Sequence, residues 1–174
     1  MMMFLKGEQV FLRALEPADA NLLYEWENDM SLWPVSDTIV PFSRFVLSEF
    51  VKDATRDIYD ARQLRLMIAQ TKSGEAVGAL DLFDFSPLHH RAGIGLVIHE
   101  KYRRKGFALE TLHLAQHYAF YTLMLHQLYC NIGKSNSESI ALFQKAGYEI
   151  TGTKKEWMKR PEGWEDVLFL QLLR

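Results

Sequence analysis

Three consecutive stretches, "LRLMIAQT", "AVGALDLFDF" and "AGIGLVI", each read as a strand, and the first two are joined by the short turn "KSGE". Apolar runs of this length, separated only by turn residues, leave no room for a crossover helix, so they predict an antiparallel meander. The pattern then changes period. Leu109, Leu112, Ala115, Ala119 and Leu123 recur at helical spacing over residues 106–125, and the strand-like "HQLYCNI" follows. A sheet that leaves through a helix and returns as a strand belongs to the mixed α+β class.

The flanking segments fit that frame. "QVFLRAL" alternates like a strand, and Pro17 suits the first turn of a helix carrying Leu22, Leu23 and Trp26. Residues 29–41 hold two prolines and no clean period, predicting a loop before a second helix over residues 43–52. In "NSESIALFQKAG", Asn136 or Ser137 serves as N-cap and Gly147 ends the helix. Two last strands, over residues 148–155 and 167–172, flank the turn "RPEG". No repeat or linker divides the 174 residues, and a 48% hydrophobic content suits one well-buried domain spanning residues 1–174.

Charge narrows the function classes. The formal net charge of −2 gives no global attraction to polyanions, so the basic run Lys101, Arg103, Arg104 and Lys105 is a local feature and nucleic acid is not the expected partner. One cysteine, Cys130, excludes an internal disulfide and a multi-cysteine metal site. "MMMFLKGEQ" reaches a lysine too soon for a leader's apolar core, and no apolar run approaches ~18 residues. A cytoplasmic protein without membrane attachment is expected.

The segment "GLVIHEKYRRKGFALETL" orders an apolar strand, a basic loop, a glycine and a helix. The first turn of a helix presents unpaired N–H groups at the positive end of its dipole, and Gly106 lets backbone approach a ligand closely. The arrangement suits a pyrophosphate on the amides of residues 104–109, and equally a solvated basic turn. The "GIG" at Gly93 and Gly95 lies within a strand, so it is neither a dinucleotide fingerprint nor a Walker loop.

Arg103-x-x-Gly106-x-Ala108 resembles the acetyl-CoA motif Arg/Gln-x-x-Gly-x-Gly/Ala of the GNAT N-acetyltransferases. "NSESIALFQKAGY" is similar to that family's Asn-x-x-Ser/Ala-x-x-Leu-Tyr/Phe-x-Lys-x-Gly-Phe/Tyr segment, and the closing "GWED" to the ending of one branch. The resemblance implies the acyl-CoA N-acyltransferase fold, a mixed, mostly antiparallel splayed sheet flanked by helices, with acetyl-CoA as co-substrate. It places the cofactor between the "GLVI" and "YCNI" strands, against Val97, Ile98, His99 and Asn131. The pyrophosphate falls on the segment of Arg103, Arg104, Lys105, Gly106, Phe107, Ala108 and Leu109, and the pantetheine near Asn136, Ser139 and Phe143. The Ile98 N–H would hold the acetyl carbonyl.

Two branches are closest. Bacterial spermidine acetyltransferases carry acidic strand residues followed by His-Arg, a pattern similar to "GALDLFDFSPLHHRAGI", which makes Asp81 and Asp84 candidate amine-binding residues. At i and i+3 of a regular strand these two carboxylates do not share a face. The other branch acetylates the N-terminal amine of ribosomal proteins, and its Asn-x-x-Ser element matches Asn136 and Ser139. An alkyl amine with pKa near ~10.4 is ~99.9% protonated at pH 7, so a base is needed, and the leaving thiolate benefits from a proton donor. Polyamine enzymes place a tyrosine donor where this chain has Phe143, which leaves Ser139 or Tyr148 as donor. Many relatives hold a glutamate base where this chain has Gly93, which leaves Asp81 through a water, or Glu156. Trp33 borders the acceptor pocket. The six histidines supply no trusted ligand spacing, and the chemistry needs no metal. The acceptor is a small-molecule or peptide amine, a homo-oligomer is admitted, and the non-enzyme alternative is a CoA-binding regulator that has lost catalysis.

Overall fold

A computed structural model describes residues 5–36 and 38–174. Residues 1–4, part of the segment read above as no leader, and Asp37 of the proline-containing loop lie outside them. The strands are β1 (Val10–Arg13), β2 (Leu64–Gln70), β3 (Ala76–Ser86), β4 (Arg91–Ile98), β5 (Gln127–Gly133), β6 (Glu149–Arg160) and β7 (Gly163–Leu173). The helices are α1 (Asp19–Glu27), α2 (Trp33–Ser36), α3 (Arg44–Asp53), α4 (Ile58–Ala61), α5 (Phe107–His117) and α6 (Ser137–Lys145). One seven-stranded sheet runs β1-β2-β3-β4-β5-β7-β6, antiparallel throughout except for the β4–β5 pair. The α+β class and the meander are as the sequence predicts.

The sheet buries both faces because its strands alternate. Leu80, Leu82, Ile94, Leu128 and Leu170 face α5 and α6, where Leu112, Ala115 and Phe143 meet them. Met67 and Ala79 face the other way, toward Leu23 and Trp26 of α1 and Leu47 and Val51 of α3. Burying such a side chain contributes about 1.5–3 kcal/mol, so each layer has its own cohesion.

Local chemistry sets most boundaries. Ser43 accepts the Val46 N–H and opens α3, and Asn136 accepts the Ser139 N–H at 3.1 Å and opens α6, so Asn136 rather than Ser137 is the cap. The helix predicted over residues 106–125 is α-helical only to His117. A wider turn, Tyr118–Thr122, follows, and the Leu125 N–H reaches back to the Ala119 carbonyl at 2.9 Å. That turn places Leu125 in the core below β5. The last two strands are longer than their alternation indicates, because β7 lies between β5 and β6 and supports both.

Helix α1 begins two residues after Pro17 and is pinned to β1 by an ion pair. The buried Asp19 carboxylate receives both terminal nitrogens of Arg13, at 2.7 and 2.8 Å, and the Glu16 N–H at 2.8 Å. Burial pushes its pKa up, but the Arg13 and Glu16 hydrogen bonds outweigh this and hold it below the usual carboxylate range. Its stabilisation is therefore complete above the ordinary carboxylate pKa and is lost as pH falls through the lower folded value. Asp19→Ala should cost about 2–3 kcal/mol, below the ~3–5 of a fully enclosed pair because Arg13 is partly solvated. Urea unfolding at pH 7 and pH 3 checks both points, since the difference between wild type and variant should shrink at the lower pH.

Candidate active site

Strands β4 and β5 pair over only three residues: Arg91 with Gln127, Ala92 with Leu128 and Gly93 with Tyr129. Beyond that rung they part, while β5 stays paired to β7 over its whole length. The sheet thus opens along one edge of Ile94–Ile98 and the facing edge of Cys130–Gly133. At the open end the His99 N–H is given to the Val77 carbonyl of β3 at 2.9 Å. Alternation then turns the Ile98 N–H to the opposite edge, into the opening.

Helix α5 starts at the mouth of this opening. Gly106 caps it with φ +84°, and Arg104 is also left-handed at +61°. Among the described residues, no protein group accepts an N–H from residues 104–109, so this run of amides is free to meet an anion. The basic side chains mostly have other partners. Arg103 donates Nε to the Ile98 carbonyl at 3.0 Å, Arg104 reaches Glu138 of α6 at 3.3 Å, and Lys105 lies 5.5 Å from the centre of the Tyr102 ring. Phe107 is buried beneath them, with Ala108 and Leu109 half-buried beside it. The cradle is backbone, and the charges set its potential.

Val97, facing the α1 side, is half-buried. His99 stacks on Trp26 with ring centres 5.8 Å apart. Asn131 is exposed on the far edge of the opening, and Asn136 and Ser139 lie in the first turn of α6, where the Asn136 carbonyl oxygen is committed to capping. Phe143, expected against the cofactor, is core, packed edge-on against Tyr148 at 5.0 Å. Tyr148, the alternative donor, has its hydroxyl buried, and desolvation drives its pKa far up. Glu156, a candidate base, sits exposed in a bulge on the edge strand β6, two strands from β5, its N–H given to Asp166 at 3.0 Å.

The other face of the opening is acidic and aromatic. Asp81 holds Arg65 in a bidentate pair at 2.7 and 2.8 Å, and Arg65 also binds Glu27 of α1, leaving the trio one negative charge in excess. Burial opposes the Arg65 charge, but the two carboxylates overcome it and raise the guanidinium pKa. The Trp33 indole donates to the Glu27 carbonyl at 3.0 Å and borders an open groove of about 470 Å³ shared with Trp157 and Arg160.

Asp84 departs from the parity of a regular strand. Asp84 and Phe85 stand opposite the single residue Ala92, a bulge that shifts the alternation by one. Phe85 therefore joins the α5-side core, and Asp84 shares the face of Asp81. The Tyr129 hydroxyl donates to Asp84 at 3.0 Å, reaching across β4 above Gly93. A Cβ at Gly93 would collide with the Phe83 ring, so that ring occupies the place of a side chain there. Arg65, Glu27, Phe83 and Tyr129 escaped the sequence reading. A lone arginine inside the apolar run "LRLMIA" was the one available signal.

A sheet parted at one parallel pair, with free amides at its mouth and carboxylates on its far face, defines the acyl-CoA N-acyltransferase class. The acetyltransferase (GNAT) domain family matches residues 9–149, and the chain belongs to that family of N-acetyltransferases. Among curated relatives, it is 29% identical over 149 residues to spermidine N(1)-acetyltransferase of Escherichia coli, covering 84% of this chain and 76% of that protein. It is 26% identical to a probable N-acetyltransferase, YjcK, of Bacillus subtilis, covering 97% and 96%. The crystal structure of Vibrio cholerae spermidine N-acetyltransferase with CoA and spermine has the same fold, with TM-score 0.86, 23% identity and 96% of each chain covered.

Gly106→Glu should abolish acetyl-CoA binding, whereas Arg103→Ala should weaken it by no more than about tenfold, a single charge contact at a helix end being worth ~0.3–1 kcal/mol. Calorimetric titration decides this, and a more damaging Arg103→Ala would refute the backbone cradle.

Proposed function

We propose that this chain transfers the acetyl group of acetyl-CoA to a primary amine, a polyamine such as spermidine, by direct attack and without a covalent enzyme intermediate. The observation that carries the reading is the opening between β4 and β5, with anion-seeking amides on one side and carboxylates on the other. The amides of residues 104–109 hold the pyrophosphate, and the pantetheine follows the free edge of β4 past Val97. The Ile98 N–H holds the acetyl carbonyl and stabilises the oxyanion that attack creates. Asn131 and Asn136 border the pantetheine. Ser139, in the first turn of α6, donates to the departing sulfur.

The acceptor enters from the face of Asp81, Asp84 and Trp33. There the Glu27–Arg65–Asp81 trio keeps a net negative charge, which attracts a cationic amine without freeing Asp81 from Arg65. The similarity to spermidine N(1)-acetyltransferase supports a polyamine. The Asn136-to-Ser139 cap, together with a buried Phe143 in place of a tyrosine donor, favours a second acceptor, a peptide N-terminus. Exposed Phe45, Trp157 and Trp164 support association with a second copy. Among the described residues no helix is long and apolar enough to cross a membrane, and no cluster of candidate metal ligands is found.

A panel of spermidine, spermine, diamines and short peptides with free N-termini, with CoA-thiol release as readout, tests the reading. Polyamines should give the highest kcat/KM, and release unchanged by every amine would favour a CoA-binding regulator instead. With the best acceptor, Ser139→Ala should lower kcat by ~10²-fold while acetyl-CoA affinity stays within about twofold. A silent Ser139→Ala would remove the serine from the mechanism and leave the thiolate to be protonated by solvent.

A further inference from the structure

The bulge in β3 gives the acceptor face a carboxylate that regular alternation would have pointed into the core. Asp84 adopts φ +47°, a conformation that strains a residue with a Cβ and persists only where the surroundings impose it. What imposes it is on both sides of β4. Phe83 covers Gly93, and the Tyr129 hydroxyl donates to Asp84 at 3.0 Å from β5. The Tyr129 ring packs T-shaped with Phe83 at 6.0 Å and beside Phe169 at 5.4 Å, which holds its hydroxyl in place against the exposed carboxylate. An exposed carboxylate with lone pairs to spare is an acceptor for an organic ammonium group, in competition with Arg91, the cation near Tyr129. Its place is equally specific, because Tyr129 and Gly93 form the last rung before the strands part.

Resting on the transferase reading, we propose that Asp84 holds the acceptor's reacting ammonium and takes its proton, with Tyr129 as the positioning residue that aims the carboxylate. Asp84 first takes one N–H proton from the bound ammonium and passes it to solvent, which frees the nitrogen lone pair; the neutral amine then forms its bond to the thioester carbon and becomes positively charged. An N–H proton then passes to Asp84, and the bonding pair stays on nitrogen. The C–S bond breaks with its pair on sulfur, and Asp84 returns the proton to solvent. The pair stands in for the base that Gly93 cannot supply. Burial first, and Asp84 second, push the Tyr129 phenol up to about 12, so it remains a donor at neutral pH.

The test is calorimetric titration of the CoA-loaded protein with spermidine and with a pentapeptide bearing a free N-terminus, alongside turnover with acetyl-CoA. Asp84→Asn keeps the shape and tolerates the left-handed backbone. It should weaken the bound amine at least about tenfold and lower kcat by ~10²-fold, with CoA affinity unchanged. Tyr129→Phe should lower kcat about three- to tenfold at unchanged CoA affinity, as expected when a base loses its orienting hydrogen bond. The inference is overturned if wild type binds neither amine, or if Asp84→Asn binds both as wild type does. Should Asp84→Asn not fold, a Tyr129→Phe protein with wild-type kcat and amine affinity overturns it. Amine binding that depends on Asp84, with no acetylation of any amine, supports the ammonium site and fails the transfer reading alone.

Discussion

The early parting of β4 and β5 is the constraint on which the rest depends. Parallel neighbours in a sheet ordinarily satisfy each other's backbone groups along their length, and unpaired N–H and C=O groups in an interior are costly. Here pairing ends after three rungs, and the chain accommodates the break from both sides. β3 continues to hold β4 to its last residue, and β7 holds β5 over seven pairs, so each strand stays ordered by its outer neighbour alone. The inner edges are left with unspent hydrogen-bonding capacity, which an extended amide-bearing chain such as pantetheine is suited to use. Arg103 closes the gap from below by taking the Ile98 carbonyl, which fixes the basic loop and the start of α5 to the end of the strand.

A second dependence runs through glycine and aromatic side chains. Gly93 has no side chain, Phe83 lies where one would be, and the bulge after Phe83 brings Asp84 over β4 to Tyr129. Each feature needs the others. A side chain at position 93 would displace Phe83, and a regular β3 would send Asp84 toward the α5-side core. The three features thus form one local packing unit that puts a carboxylate over β4 beside Tyr129.

What was legible in the sequence follows from what is local. Alternation located β2, β3 and β4, and side-chain chemistry narrowed the α6 cap to Asn136 or Ser137, of which Asn136 is the one that caps. The placement of β7 between β5 and β6 was not legible, because it joins strands out of chain order. Nor was the parity of Asp84, since a single inserted residue reverses every side chain beyond it and leaves no mark in composition. Tyr148 and Phe143 read as site residues because their motif lies beside the opening. Phe143 is the buried residue of α6, and Tyr148 is redirected into the core by the left-handed Gly147 before it, at φ +96°. The Arg65 pairing required knowing that α1 lies over β2 and β3, a long-range contact that no spacing encodes.

The two sides of the opening differ in electrostatic sign, and under the proposed function that difference sorts the substrates. The α5 side offers free amides at the positive end of a helix dipole and the run of Lys101, Arg103, Arg104 and Lys105, which suit a pyrophosphate. The opposite side offers Glu27, Asp81 and Asp84 against Arg65 and, near Tyr129, Arg91, a balance that stays negative and suits an ammonium group. A chain with a formal net charge of only −2 has little long-range field with which to choose between anionic and cationic ligands. The choice is instead made locally, by folding the basic loop onto one face of the sheet and the acidic strand residues onto the other. Among the described residues the β4–β5 pair is where the sheet parts, so under the proposed function a thioester and an amine drawn to opposite faces would meet there.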